Sequence, residues 1–186
     1  MAEYIFTDHP ETRELNRLRL IENACDESTR QLLLGTGISE GWHCLEVGAG
    51  AGSIFRWIGE RVGTNGLATA VDRNTTYLSD FTGSPYRVVE ADIREFSTSD
   101  CFDLTHVRYV LIHNHDAKSL IARLKSMLKP GGCLVLEEPD FEAARWLDDR
   151  YAVAGNKVNQ AMCAMFADQG LNPGFGKGLP MQAVDL

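Results

Sequence analysis

The run His43-Cys44-Leu45-Glu46-Val47-Gly48-Ala49-Gly50-Ala51-Gly52 decides the fold. Its first five residues are mostly apolar, as in a buried strand. The alternating glycines turn the chain sharply and leave room for a ligand to approach the backbone. Ile54, Phe55, Ile58 and Val62 then recur at helical spacing until Gly63 ends the helix. The opening turn of that helix offers free N–H groups to the polar end of a ligand. Taken alone, G-x-G-x-G also fits a plain strand–helix turn.

Upstream, residues 10 to about 34 read as a helix: Leu15, Leu18, Ile21, Leu32 and Leu33 recur among charged residues, and Gly35 and Gly37 stop the pattern. Downstream, strands alternate with helices. Leu67–Val71 is a strand, followed by a short helix near 75–81. Tyr86–Val89 and Phe102–Val107 are strands, and Asp116 caps a helix whose apolar stripe is Leu120, Ile121, Leu124 and Leu128. Lys129-Pro130-Gly131-Gly132 ends it, and Cys133–Leu136 is a fifth strand. A long helix is expected over about 141–169, carrying Trp146, Tyr151, Val158, Met162, Met165 and Phe166. The last sixteen residues are rich in Gly and Pro and show no clear period. This alternation predicts an α/β fold with a mostly parallel sheet and helices on both faces. Ligands of such sheets bind beyond the carboxyl ends of the strands, at the switch point beside the first strand.

Three acids lie in or just after the strands at that end. Glu46 lies inside the first strand, where a buried carboxylate needs a partner. Asp72 ends the second and can accept from two ribose hydroxyls, or cap a helix. Asp92, in Ala91-Asp92-Ile93 after the third, can accept from an adenine amino group while Ile93 packs on the ring, or stand as a solvated loop acid.

Composition narrows the partners. The 186 residues include 26 acidic and 18 basic side chains, a net charge of −8. Phosphate recognition needs clustered Lys and Arg, so the expectation is no nucleic acid and no anionic membrane surface. No stretch approaches the roughly 18 apolar residues of a membrane span, and the polar start does not read as a signal peptide. Five scattered cysteines without a C-x-x-C pair fit a reducing cytoplasm.

CLEVGAGAGSI resembles the first motif of class I S-adenosylmethionine-dependent methyltransferases, an acid, a spacer and G-x-G-x-G. AVDRN is similar to their acidic loop after strand two, VEADIREF to the adenine segment, FDLTHVRYVLIHN to the fourth-strand motif and LKPGGCLVLEEPDF to the turn and fifth strand. The resemblance runs from about Tyr4 to Phe141 with all five pieces in order. It implies a three-layer Rossmann-like sandwich with S-adenosylmethionine as cofactor. It places Gly48, Ala49, Gly50 and Gly52 at the methionine and ribose portions and Glu46 near the amino end. Asp72 would hold the ribose, with Arg73 beside the adenine and Asp92 and Ile93 holding it. Arg108 would lie near the methionine moiety, and Tyr4 with the N-terminal helices would form a lid. Residues 1–40 would be that lid, 41–140 the cofactor-binding core and 141–186 a helical cap region and tail. Members usually carry seven strands. Five are counted here, so the last strands of the methyltransferase fold read as missing and the fifth strand offers an edge for self-association.

His113-Asn114-His115-Asp116 suggests a metal site, yet zinc needs three or four ligands and no matching cluster appears, so no metal is expected. The two weak candidates for a catalytic base are His113 and Glu137. The latter opens the acidic run Glu137-Glu138-Pro139-Asp140, which fits a substrate-binding cluster and a solvated rim equally. The expected activity is methyl transfer from S-adenosylmethionine to a small-molecule acceptor. Its rivals are a non-catalytic S-adenosylmethionine-binding module and a nucleotide-dependent oxidoreductase. Glu46 and the G-x-G-x-G spacing argue against the last.

Overall fold

The computed structural model describes residues 11–144 and 148–184. Tyr4 and Trp146 lie outside them. In chain order the elements are α1 (Glu11–Gly35), β1 (His43–Val47), α2 (Ser53–Val62), β2 (Leu67–Asp72), β3 (Tyr86–Glu90), β4 (Phe102–Arg108), α3 (Ala117–Ser126), β5 (Leu128–Glu137), α4 (Asp149–Asp168) and α5 (Phe175–Val184). The strands form one sheet in the order β3-β2-β1-β4-β5. β1 runs parallel to both β2 and β4, and β2 runs parallel to β3. This is the Rossmann-like arrangement the sequence predicts, with the switch point between β1 and β4.

The chain divides into two compact units. The first is drawn from Phe6–Arg108 and Arg123–Leu136, the second from Tyr109–Ala122 and Glu137–Leu186. In the first, β1 is central, and Cys44, Leu45, Glu46 and Val47 are all buried, as expected of a parallel strand covered on both faces. α2 buries Ile54, Phe55, Ile58 and Val62, and each such side chain contributes roughly 1.5–3 kcal/mol. Phe55 meets Phe81 and Tyr86 in a triangle of rings with centroids 4.9, 5.2 and 5.1 Å apart. Among the described residues no helix is long and apolar enough to cross a membrane.

Three expectations are corrected here, and the tail adds a fourth. The helix expected near 75–81 is a single 3-10 turn, Thr76–Leu78. The fifth strand begins at Leu128, so the Lys129–Gly132 turn is a kink within it, with Gly131 at φ +82°. Pairing is already in place there. Phe102 N–H donates to Met127 O (2.9 Å), and Gly132 lies so close to β4 that a Cβ would stand 2.8 Å from Phe102 O. The long helix starts at Asp149 rather than 141, because Asp148 caps it by accepting from Arg150 N–H. Phe141 is instead drawn to Pro173, its N–H donating to Pro173 O (2.9 Å).

The Gly/Pro-rich tail is helical. Asn172 opens α5 by accepting from Gly174 N–H with its side chain and from Phe175 N–H with its carbonyl. Leu171, Phe175 and Leu179 are all buried, four residues apart, so the helical period is present but interrupted by glycines and Pro180. The helix docks on the segment after β5 through Gly176 N–H to Pro139 O (3.1 Å). A Cβ on Gly176 would stand 2.4 Å from Glu138 O, whereas one on Gly178 would meet only Gln182 Nε2 at 3.7 Å. Gly178→Ala should therefore stabilise the protein by up to about 1 kcal/mol through helix propensity. Gly176→Ala should destabilise it by about 1–3 kcal/mol through overpacking. Thermal denaturation of the two variants decides it: the reverse order would show that α5 is not seated on this segment.

Candidate cofactor site

The turn after β1 is tied to β2 at two points. Gly48 N–H donates to Val71 O (2.9 Å), and Gly50 N–H donates to Asp72 Oδ2 (3.0 Å). Gly50 sits at φ +57° and Gly52 at φ +89°, conformations that L side chains rarely adopt. A Cβ on Gly52 would also stand 2.7 Å from the Phe81 ring and 2.9 Å from Leu78. Ala49, 9% exposed, accepts from Gly52 N–H (2.9 Å).

Asp72 caps no helix. Its second oxygen accepts from Asn74 N–H (3.0 Å). Burial holds its carboxyl above the ordinary aspartate value, against the lowering effect of the Asn74, Gly50 and Arg73 N–H groups. With roughly four acceptor sites, the carboxylate keeps room for a further donor beyond these N–H groups. Asp92 behaves in the opposite way. Arg94 pairs with it through Nε (2.9 Å) and a terminal nitrogen (2.5 Å), with Arg73 Nε at 4.0 Å. The Arg94 side chain holds the Asp92 carboxyl down at about 2. Ile93 beside it is buried.

Glu46 finds its partner inside the sheet. It stands directly across from His106 on β4, with His106 Nδ1 2.7 Å from Glu46 Oε2 and both residues buried. Arg108, at the end of β4, points to α1, donating to Thr29 Oγ1 (2.8 Å) and Asp26 Oδ1 (3.0 Å). A depression of about 400 Å³ beside β3, lined by Arg87, Val89, Ala91 and Phe96 among others, includes none of the glycine-turn residues.

The second unit holds His113 and Glu137. The His113 ring lies 5.4 Å from Phe166, which lies 5.4 Å from Phe141. Glu137 O accepts from Tyr109 N–H (2.9 Å), and Tyr109 sits at φ +58°, an uncommon conformation for a residue other than glycine. The best-defined acid of the run is Glu138. Its carboxylate accepts from Val110, Leu111 and Ile112 N–H at 2.9, 2.7 and 3.1 Å. Asp140 accepts from Ala143 N–H (3.1 Å). Among the described residues no three His, Cys, Asp or Glu side chains gather in a metal-holding group.

Sequence reasoning missed Arg94, His106, Asp26, Thr29 and Glu138 as partners. Only Arg94 gives a local signal, a cation two residues after Asp92.

The parallel sheet, the glycine turn and the acids at the ends of β2 and β3 define a class I nucleotide-type α/β fold. Residues 15–172 match the family described as methyltransferase domain, and the chain belongs to this family, the class I S-adenosylmethionine-dependent methyltransferases. Nodulation protein S of Sinorhizobium fredii (strain NBRC 101917 / NGR234) is 28% identical over 148 residues, 74% of this chain and 68% of that protein. The tRNA U34 carboxymethyltransferase of Pseudoalteromonas atlantica (strain T6c / ATCC BAA-1087) is 26% identical over 129 residues. That match covers 63% of this chain and 39% of the relative, so the chain spans well under half of it. The fold is shared with the plantazolicin methyltransferase BpumL, solved with a triazolic desmethylPZN analog and S-adenosylhomocysteine (TM-score 0.60, 17% identity, 76% of this chain and 58% of that one).

Burial pushes the Glu138 carboxyl up to about 7, outweighing its three N–H donors. The folded state then binds this proton more tightly than the unfolded one. The stability it contributes is complete below the ordinary glutamate value near 4.5 and is lost as pH rises through about 7. Glu138→Gln should remove a decline of roughly 1–3 kcal/mol between those limits. Denaturant unfolding at pH 5 and pH 7.5 measures it; an unchanged pH difference in the variant would assign the decline elsewhere.

Proposed function

We propose that the chain transfers the methyl group of S-adenosylmethionine to a small-molecule acceptor, with the cofactor lying along the carboxyl ends of β1, β2 and β3. The observation that carries this reading is Asp72: a carboxylate at the end of β2, fixed by Gly50 N–H to the glycine turn and with lone pairs to spare. Those lone pairs would take the ribose hydroxyls. The methionine end would lie against Gly48, Ala49, Gly50 and Gly52, above buried Glu46 and near Arg108. Arg73, Asp92 and Ile93 would bound the adenine. The residues present fit the group at the ribose, which would meet the Asp72 carboxylate, and at the turn, where Gly50 and Gly52 at positive φ carry no side chain of their own.

S-adenosylmethionine supplies a methyl on a sulfonium, a leaving group already activated by its charge. The protein's part is alignment of the acceptor lone pair, worth much of the barrier. A base serves only an acceptor that must lose a proton, and His113 or Glu137 would take it.

The acidic balance, 26 acids against 18 bases, favours a small acceptor over a polyanion. The BpumL structure holds a triazolic desmethylPZN analog beside S-adenosylhomocysteine, while the carboxymethyltransferase relative is named for tRNA. Labelled cofactor, incubated with the protein and either a metabolite extract or total tRNA, separates the readings. Label should appear in small molecules. Label in tRNA would overturn the acceptor class, and cofactor binding without label in either would favour the non-catalytic binding module.

Asp72→Ala should weaken S-adenosylhomocysteine binding by about one to two orders of magnitude, from a charged hydrogen bond of roughly 1.5–3 kcal/mol. Asp72→Asn should lose less, because its carbonyl still accepts. Calorimetry giving parental affinity for folded Asp72→Ala would rule out the ribose assignment.

A further inference from the structure

Helix α1 presents one face to the glycine turn. Leu18, Glu22, Asp26, Thr29 and Leu33 follow at spacings of four, four, three and four, which places them in line along the helix. Its C-terminal half is anchored: Leu33 and Thr29 are fully buried, and Thr29 and Asp26 hold Arg108. Two contacts of its N-terminal half reach the turn itself. A Leu18 methyl lies 3.3 Å from where a Cβ on Gly50 would stand, and Glu22 Oε1 accepts from Ser53 N–H at 3.1 Å. Ser53 is the first residue of α2. The sequence leads one to expect that N–H to be open to a ligand, but a carboxylate of the chain itself already takes it.

A helix N-terminus beside a glycine turn favours an anion, and the amino-acid end of the cofactor carries one. One N–H makes one strong bond to a carboxylate, and two carboxylates brought to it would repel each other. We propose that Glu22 is an internal competitor for the cofactor's carboxylate, and that the Leu18–Glu22 end of α1 must yield when the cofactor binds while the Thr29–Leu33 end stays seated. Glu22 thereby sets cofactor affinity from outside the motif residues. The proposal rests on the cofactor reading above. The gradient of burial along α1 supports it, since elements held by few buried apolar contacts open at low cost.

Calorimetric titration of S-adenosylhomocysteine into the full chain, Glu22→Gln and Glu22→Ala tests the competition. Both variants should bind about two- to fivefold more tightly, the ratio that corresponds to a surface charge–helix interaction. 5′-Methylthioadenosine, which lacks the amino-acid end, should gain nothing. Hydrogen exchange of the parent should quicken over residues 18–26 on S-adenosylhomocysteine binding and stay unchanged near Leu33. Weaker or equal binding by the variants, an equal gain for 5′-methylthioadenosine, or slower exchange over 18–26 would each overturn the competition. The second of these would show that the carboxylate is not what Glu22 competes with, and the third that α1 closes on the cofactor. Absence of binding by parent and variants alike, all folded by circular dichroism, would overturn the cofactor reading itself.

Discussion

Glu46 and His106, 2.7 Å apart in the middle of the sheet, are the constraint on which the site's geometry depends. Both are buried, and truncating either removes the bond that the other makes in the core, a loss of about 3–5 kcal/mol when that group is charged. The pair also fixes register. Glu46 lies opposite both His106 and Ala70, and a slip of one residue in β1 or β4 would send one partner to the other face of the sheet. Because β1 is pinned against both neighbours, Val47 ends level with Val71 and Val107. The glycine turn then emerges where Gly48 and Gly50 can reach Val71 O and Asp72. A polar pair in the core thus aligns backbone at the sheet's carboxyl edge, with no side chain of the pair exposed there.

The three best-defined carboxylates all sit on backbone N–H groups, yet their proton affinities diverge. Asp92 has a guanidinium in bidentate contact and stays ionised. Glu138 has only backbone dipoles, and Asp72 has backbone dipoles with the Arg73 charge adding to them; burial outweighs these at both. A carboxylate satisfied by a cation has little left to offer a ligand. One compensated only in part still gains from any further donor. On this reasoning Asp72 has more to gain from a further donor than Asp92, although in the sequence both read as acids after strands.

What the sequence reveals is what neighbours along the chain enforce. The Ile54, Phe55, Ile58 and Val62 face of α2, the glycine turn and the five strands are all readable, since each depends on residue type at short spacing. The α5 face is written with the same four-residue period in Leu171, Phe175 and Leu179, but Gly174, Gly176, Gly178 and Pro180 lower the local helical preference beneath recognition. Docking on Pro139 replaces what propensity lacks. Partners far along the chain are not readable at all. Ser53 meets Glu22 across 31 residues, and Glu46 meets His106 across 60. In each case the sequence shows a group in need of a partner without showing which one supplies it.

The same limit explains why the cofactor end is legible and the reacting end is not. Holding a nucleoside takes fixed backbone and a few acceptors, which leave motifs. Aligning an acceptor for an activated methyl takes shape, and shape comes from backbone held in place. Tyr109 shows backbone held in place in this way within the second unit. Its left-handed φ of +58° costs of order 1–3 kcal/mol, and the turn that follows is gathered by Glu138 through three successive N–H groups. Glu137 O fixes Tyr109 itself. The acidic run after β5 therefore acts on backbone: two adjacent residues, one by its carbonyl and one by its side chain, sustain a strained corner after β4. A carboxylate used in this way leaves no catalytic pattern in the sequence, because its chemistry is that of a cap.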